Sequence, residues 1–180
     1  MFVQTEITPN PNSLKFLPGK TVSNNGSFEV TNKDETNNEL IRNLLSINGV
    51  QGIFLGKNFI SVNKYENTKW EEIKHIVISL INDFYSDGKE FVIDDNVEQV
   101  SQDLNEIEEK IVKILEQKIR PAVARDGGDI KFKEFKDGVV KVQLQGSCSG
   151  CPSSTMTLKQ GVQNLLCHYL PEVKEVVAIQ

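Results

Sequence analysis

The chain has 180 residues, 38% of them hydrophobic and 25% charged, and a formal net charge of −5. That balance is the one expected of a globular chain with one or two small domains. It argues against general nucleic-acid binding, since no basic run or aromatic–basic interleaving offsets the acidic charge, and no apolar stretch is long enough to span a bilayer.

Three cysteines do not make a disulfide scaffold. They fit a reducing compartment, where a Cys-x-x-Cys pair signals metal or redox chemistry. The opening residues Met1 to Ile7 read as structured protein and not as a signal or Arg-rich transit segment. The expected setting is the bacterial cytoplasm, or the mitochondrial matrix for a processed organellar protein.

In chain order, Phe2–Ile7 reads as a strand, Thr8-Pro9-Asn10-Pro11-Asn12-Ser13 as a turn, and Leu14–Leu17 as a second strand closed by Pro18-Gly19. Residues 21–37 are polar, with one weak strand at Phe28–Val30. Leu40, Ile41, Leu44 and Leu45 give a helix over Glu39–Ile47, stopped by Asn48-Gly49. Val50–Leu55 and Asn58–Val62 flank Gly56-Lys57 as a hairpin. Thr68-Lys69-Trp70-Glu71 has the form of a capping box. The helix it opens carries Trp70, Ile73, Val77, Leu80, Ile81 and Phe84 on one apolar stripe, with His75 on the solvated face. This half holds no cysteine and no phosphate-binding glycine loop, so recognition or scaffolding is its default role.

Asp87-Gly88 ends that helix. Residues 88–101 carry one lysine against four acids, so residues 88–102 read as an acidic linker, with Phe91-Val92-Ile93 able to add a strand edge. Asp103 to about Ala124 is helical, with Pro121 expected to kink it or start a fresh turn. Asp126-Gly127-Gly128-Asp129 stops the helix. Ile130–Phe135 and Val139–Leu144 form a hairpin across an Asp-Gly turn. Ser153–Leu170 is a helix with Leu158, Val162, Leu165 and Tyr169 on one face, and Val173–Ile179 is a last strand. The fold class is α+β in two small domains. Residues 1–87 form an antiparallel-sheet domain, 88–102 the linker, and 103–180 an α-β-β-α-β domain.

The chemistry concentrates in Gly146-Ser147-Cys148-Ser149-Gly150-Cys151-Pro152. Two thiols on one short turn can converge on a metal, and the glycines let the backbone bend around it. A helix beginning at Pro152 would point its N–H groups at the cysteines and favour thiolate. Zinc and iron–sulfur sites commonly take four ligands, and this loop offers two. Cys167 lies roughly 24 Å along the following helix, at 1.5 Å per residue, on the face opposite Leu158, Val162 and Tyr169. His168 is excluded by the same distance, and Asp126 and Asp129 are accounted for by a helix stop and a tight turn. Two copies about a twofold axis supply four thiolates. Such a boundary site, near solvent, suits a carrier whose ligands an incoming protein's thiols displace. A thiol–disulfide redox protein and a zinc-bridged structural dimer use the same pair. Against the redox alternative, the motif follows an antiparallel hairpin near the C-terminus, with proline after the second cysteine and not between the two.

Gly146 to Thr155, running into Thr157-Leu158-Lys159 and Gly161, closely resembles the C-terminal domain of the NifU-like (Nfu) family. Ile119-Arg120-Pro121-Ala122-Val123 with Asp126-Gly127-Gly128-Asp129-Ile130, and His168 to Val173, match the same domain. Thr8 to Phe16 resembles the separate N-terminal domain of the mitochondrial and α-proteobacterial type. The resemblance implies a scaffold or carrier, not an enzyme. It would hold a [4Fe–4S] cluster between two subunits, receive it from upstream donors and pass it to apo-proteins. Cys148 and Cys151 would be the ligands, and the N-terminal domain would help in partner recognition.

Overall fold

The computed structural model describes residues 2–90, 92–93, 103–149 and 152–179. The chain divides into two compact units, Met1–Val97 and Glu98–Gln180. Both mix helices with sheet, so the fold is α+β as the sequence predicts.

The first unit is a five-stranded antiparallel sheet, ordered β1 (Gln4–Ile7), β2 (Ser13–Leu17), β5 (Ile60–Lys64), β4 (Val50–Leu55), β3 (Phe28–Val30). Helices α1 (Glu39–Leu45) and α2 (Trp70–Ser86) share its apolar core, where Phe16, Ile41, Leu44, Ile53, Ile60, Val77 and Ile81 are buried. The turn at Thr8–Ser13 is built by its side chains: Thr8 Oγ1 donates to the carbonyls of Asn10 and Ser13, and Asn10 Oδ1 accepts from Asn12 N. It is also pinned from outside. Lys64 Nζ donates to Asn12 Oδ1 at 2.9 Å, and Trp70 Nε1 to the Pro11 carbonyl at 3.1 Å.

Three local expectations change. Helix α2 has Lys69 at its N-cap and no side-chain cap, because Thr68 lies over Gly49 instead of reaching the helix N–H groups. Gly49 has φ +103 and no room for a β-carbon beneath Thr68, so both features need glycine there. The β4–β5 connection spans residues 56–59, not two residues. Phe59 turns inward over Gly56 and its carbonyl accepts from Gly56 N at 3.0 Å, which delays β5 to Ile60. Finally, Val92 is buried and Ile93 bridges Ser23, so packing of the first unit reaches past residue 87 into the segment read as linker. Residues 94–102 of that segment lie outside the described residues.

The second unit begins with α3 (Glu106–Ile114), opened by a capping box between Asn105 and Glu108. A π-helical turn (Leu115–Ile119) leads into α4 (Arg120–Arg125). Pro121 has no N–H to give, and the wider turn starts a fresh helix around it without breaking the helical path. Strands β6 (Gly128–Lys136) and β7 (Val139–Gly146) pair antiparallel across Asp137-Gly138, both at positive φ, with a bulge between Phe132 and Glu134. Helix α5 (Pro152–Tyr169) then carries the chain to β8 (Glu175–Ile179), which lies parallel to β7.

The buried face of α5 differs from the expected one. Val162, Leu166 and Leu170 enter the core, whereas Tyr169 is 48% exposed, stacked under Lys118. Steps of four residues, not three, follow the core here. The rotation brings Cys167 against the core, with Sγ donating to the Val173 carbonyl at 3.2 Å, not onto the opposite face. Leu166→Ala is therefore expected to destabilise the second unit by about 2–5 kcal/mol. Tyr169→Ala should cost less than about 1 kcal/mol. Hydrogen exchange of the β7 and α5 amides reads both, and equal effects would contradict this stripe.

Candidate metal centre

The described part of the cysteine loop is Gly146–Ser149; Cys151 lies outside the described residues. The placement of Gly146–Ser149 follows from the β6–β7 register, which sets Gly128 against Gly146. Gly146 has φ +67 and turns the chain out of β7. Ser147 N donates to the Gly127 carbonyl at 3.2 Å and Ser147 Oγ to the Asp126 carbonyl. Ser149 closes the turn with N and Oγ both donating to the Gly146 carbonyl, at 3.2 and 2.9 Å.

Cys148 is thereby laid onto Gly128. A β-carbon at residue 128 would stand 2.7 Å from Cys148 Sγ and 2.6 Å from the Gln145 carbonyl, so the seat exists only because residue 128 has no side chain. Cys148 is 7% exposed and belongs to the apolar core with Val123, Ile130 and Leu144. The first turn of α5 holds the loop from the other side, with Thr155 Oγ1 donating to the Cys148 carbonyl at 3.1 Å.

This placement reverses one expectation. The sequence predicts a thiol drawn toward thiolate by the helix N-terminus. In the structure the helix meets the carbonyl of Cys148 and the thiol faces apolar atoms. Burial pushes the thiol up from 9.0 to about 11, aided by the Asp126 and Asp129 carboxylates and opposed by the Ser147 hydroxyl.

Asp129 is engaged elsewhere. Its carboxylate takes both arms of the Arg120 guanidinium, Nε to Oδ1 and Nη2 to Oδ2 at 2.9 Å each, and Oδ1 also accepts from Ile130 N at 2.8 Å. Among the described residues no three His, Cys, Asp or Glu side chains come together as a metal site. The donor set that the described residues of one copy present is thus smaller than a closed zinc or iron–sulfur centre takes, while a thiol at a loop end is the donor type that iron and zinc favour. Sequence reasoning missed Arg120, Ser147 and Thr155. The available signal was an arginine nine residues before an aspartate, with a Pro-led helix and a Gly-Gly turn between them.

An acid whose pKa rises on folding contributes stability while it stays protonated. Cys148 contributes fully below pH 9, and the contribution falls away as pH climbs from 9 toward 11. Alkylation of Cys148 in the metal-free chain should be slow at neutral pH and climb through that window. Cys148→Ala should remove the matching alkaline loss of stability. A thiol that reacts at neutral pH as fast as a free peptide cysteine would contradict the buried seat.

Comparison with known proteins covers both units. Residues 3–88 match the family described as "Scaffold protein Nfu/NifU N terminal", and residues 111–177 the "NifU-like domain". The chain is 43% identical over 180 residues to the human "NFU1 iron-sulfur cluster scaffold homolog, mitochondrial", covering 98% of this chain and 71% of that protein. It is 42% identical over 184 residues to "NifU-like protein 4, mitochondrial" of Arabidopsis thaliana, covering 98% and 65%. It thus spans about two thirds of the length of the curated relatives it matches. A solution NMR structure of a NifU-like protein from Saccharomyces cerevisiae aligns with TM-score 0.48 at 29% identity, over 53% of this chain and 87% of that one. The chain belongs to the NifU-like (Nfu) family, with an Nfu-type N-terminal region followed by a NifU-like domain.

Proposed function

We propose that this protein is a non-enzymatic scaffold and carrier of an iron–sulfur cluster. The carrying observation is a cysteine placed at the β7–α5 loop of the NifU-like domain, in a chain whose human relative is named as such a scaffold. Cys148 and Cys151 are the ligands. Two copies contribute four thiolates to one [4Fe–4S] cargo, because one copy's loop supplies half of the usual set. The chain divides into residues 1–87, an acidic linker over 88–102, and residues 103–180, the first part serving partner recognition. The relatives' names support the mitochondrial alternative for compartment and not the bacterial cytoplasm.

The chemistry is ligand exchange. At each step one iron–thiolate bond to the carrier breaks and one to an acceptor cysteine forms. The acceptor's thiol proton ends on the released carrier cysteine, and the iron keeps its oxidation state. A released Cys148 has an apolar seat on Gly128 to return to, which favours letting go over rebinding. The same shelter counts against thiol–disulfide exchange, which works through an accessible, acidified thiol.

Anaerobic reconstitution with iron and sulfide tests the reading. About four iron and four sulfide per dimer are expected, with dimerisation tied to the cluster and passage to an apo-acceptor. Cys148→Ser and Cys151→Ser should each abolish loading, and Cys167→Ser should leave it intact. Tight zinc alone, or cluster loss in the Cys167 variant, would overturn it.

A further inference from the structure

We propose that the Arg120–Asp129 pair is the positioning element of the cysteine loop, holding Cys148 in its sheltered seat and setting how readily the thiol leaves it. This rests on the reading of Cys148 as a ligand. Neither residue touches the cargo; both act through the backbone of Asp126, Gly127 and Gly128.

The pair closes the chain between the start of α4 and the start of β6. That closed segment presents three features in a row, and all three hold the loop. The Asp126 carbonyl takes Ser147 Oγ, the Gly127 carbonyl takes Ser147 N, and the bare Cα of Gly128 underlies Cys148 Sγ. A shift of β6 relative to α4 would carry these three groups with it.

Net stability is a weak explanation for the pair. Asp129's side chain is 6% exposed and Arg120's 36%, and a buried ion pair returns little beyond what it loses in hydration. What a two-pronged fork supplies is fixed orientation, because guanidinium and carboxylate must lie in one plane to make both bonds. The preceding π turn serves the same geometry. Arg120 N donates to the Leu115 carbonyl, five residues back, so the helix is reset at the residue that must reach Asp129. Glu116 adds a longer contact to Arg120 at 3.8 Å, on the next-to-last turn before the fork.

The test uses the full chain, metal-free, with Cys151→Ser so that Cys148 and Cys167 are read separately by mass spectrometry after iodoacetamide alkylation. Arg120→Lys keeps the charge and loses the fork. The double variant Arg120→Met with Asp129→Leu removes the fork without leaving a buried carboxylate unpaired, and so guards against simple failure to fold. In both, Cys148 should be alkylated about tenfold or more faster, the scale set by losing a charge-assisted hydrogen bond. Cys167 lies in the same unit and should stay within about twofold. Equal acceleration at both thiols would mean general loosening and would overturn the positioning role. No acceleration at Cys148 in folded variants would overturn it as well. If the unsubstituted chain fails to load a cluster while the alkylation rates separate as expected, the carrier reading falls and the positioning role stands.

Discussion

The second unit depends on how closely residues 126–128 approach residues 145–148. The β6–β7 register sets glycine against glycine, Gly128 with Gly146, at the end of the hairpin. With no β-carbon at residue 128, the chain leaving β7 can fold back and lay a thiol against the strand's Cα. The carbonyls exposed where α4 ends accept from Ser147, so the same contact satisfies helix-end groups that need partners. The half-buried Arg120–Asp129 fork ties the start of α4 to the start of β6, where these pieces meet. Together they seat residues 146–149 against the end of α4 and the start of β6.

On the carrier reading, this resting place matters as much as the ligands. A storage site gains from donors that are always exposed and ionised. A carrier also needs a state that competes with the cargo for its own ligands. Burial of Cys148 supplies that state: the thiol packs with Val123, Ile130 and Leu144, and burial pushes its pKa up to about 11. Few ligands per copy and a sheltered free form both bias the exchange toward release. Neither requires a moving domain or a redox step.

The first unit contains no cysteine, and its opening turn is held from several sides. Its asparagine side chains shape the turn, and Lys64 and Trp70 anchor it to β5 and α2. Lys64 and Lys15 are both buried, the first against Trp70 and the second over Phe59 with Glu6 alongside. Aromatic faces and carbonyls shelter the long stems of these lysines while their ammonium groups stay hydrogen-bonded.

Much of this was written in the sequence. Helix and strand positions followed from apolar periodicity and the Asp137-Gly138 turn from its dipeptide, because these signals act over a few residues. The failures came where a distant partner won. Thr68 packs on Gly49 instead of capping α2, Phe59 folds over Gly56 and lengthens a turn, and steps of four residues carry Leu166 and Cys167 into the core. The same holds at the site. The sequence by itself determined two cysteines on a glycine-rich loop ahead of a helix, and with them the expectation of metal chemistry. Only the tertiary structure decided that Cys148 rests buried on Gly128, with an Arg120–Asp129 pair beside it. The thiol's state is set by what surrounds it, and part of those surroundings, Asp126 and Gly128 at the end of α4 and the start of β6, is brought there by the fold and not by nearness in the chain.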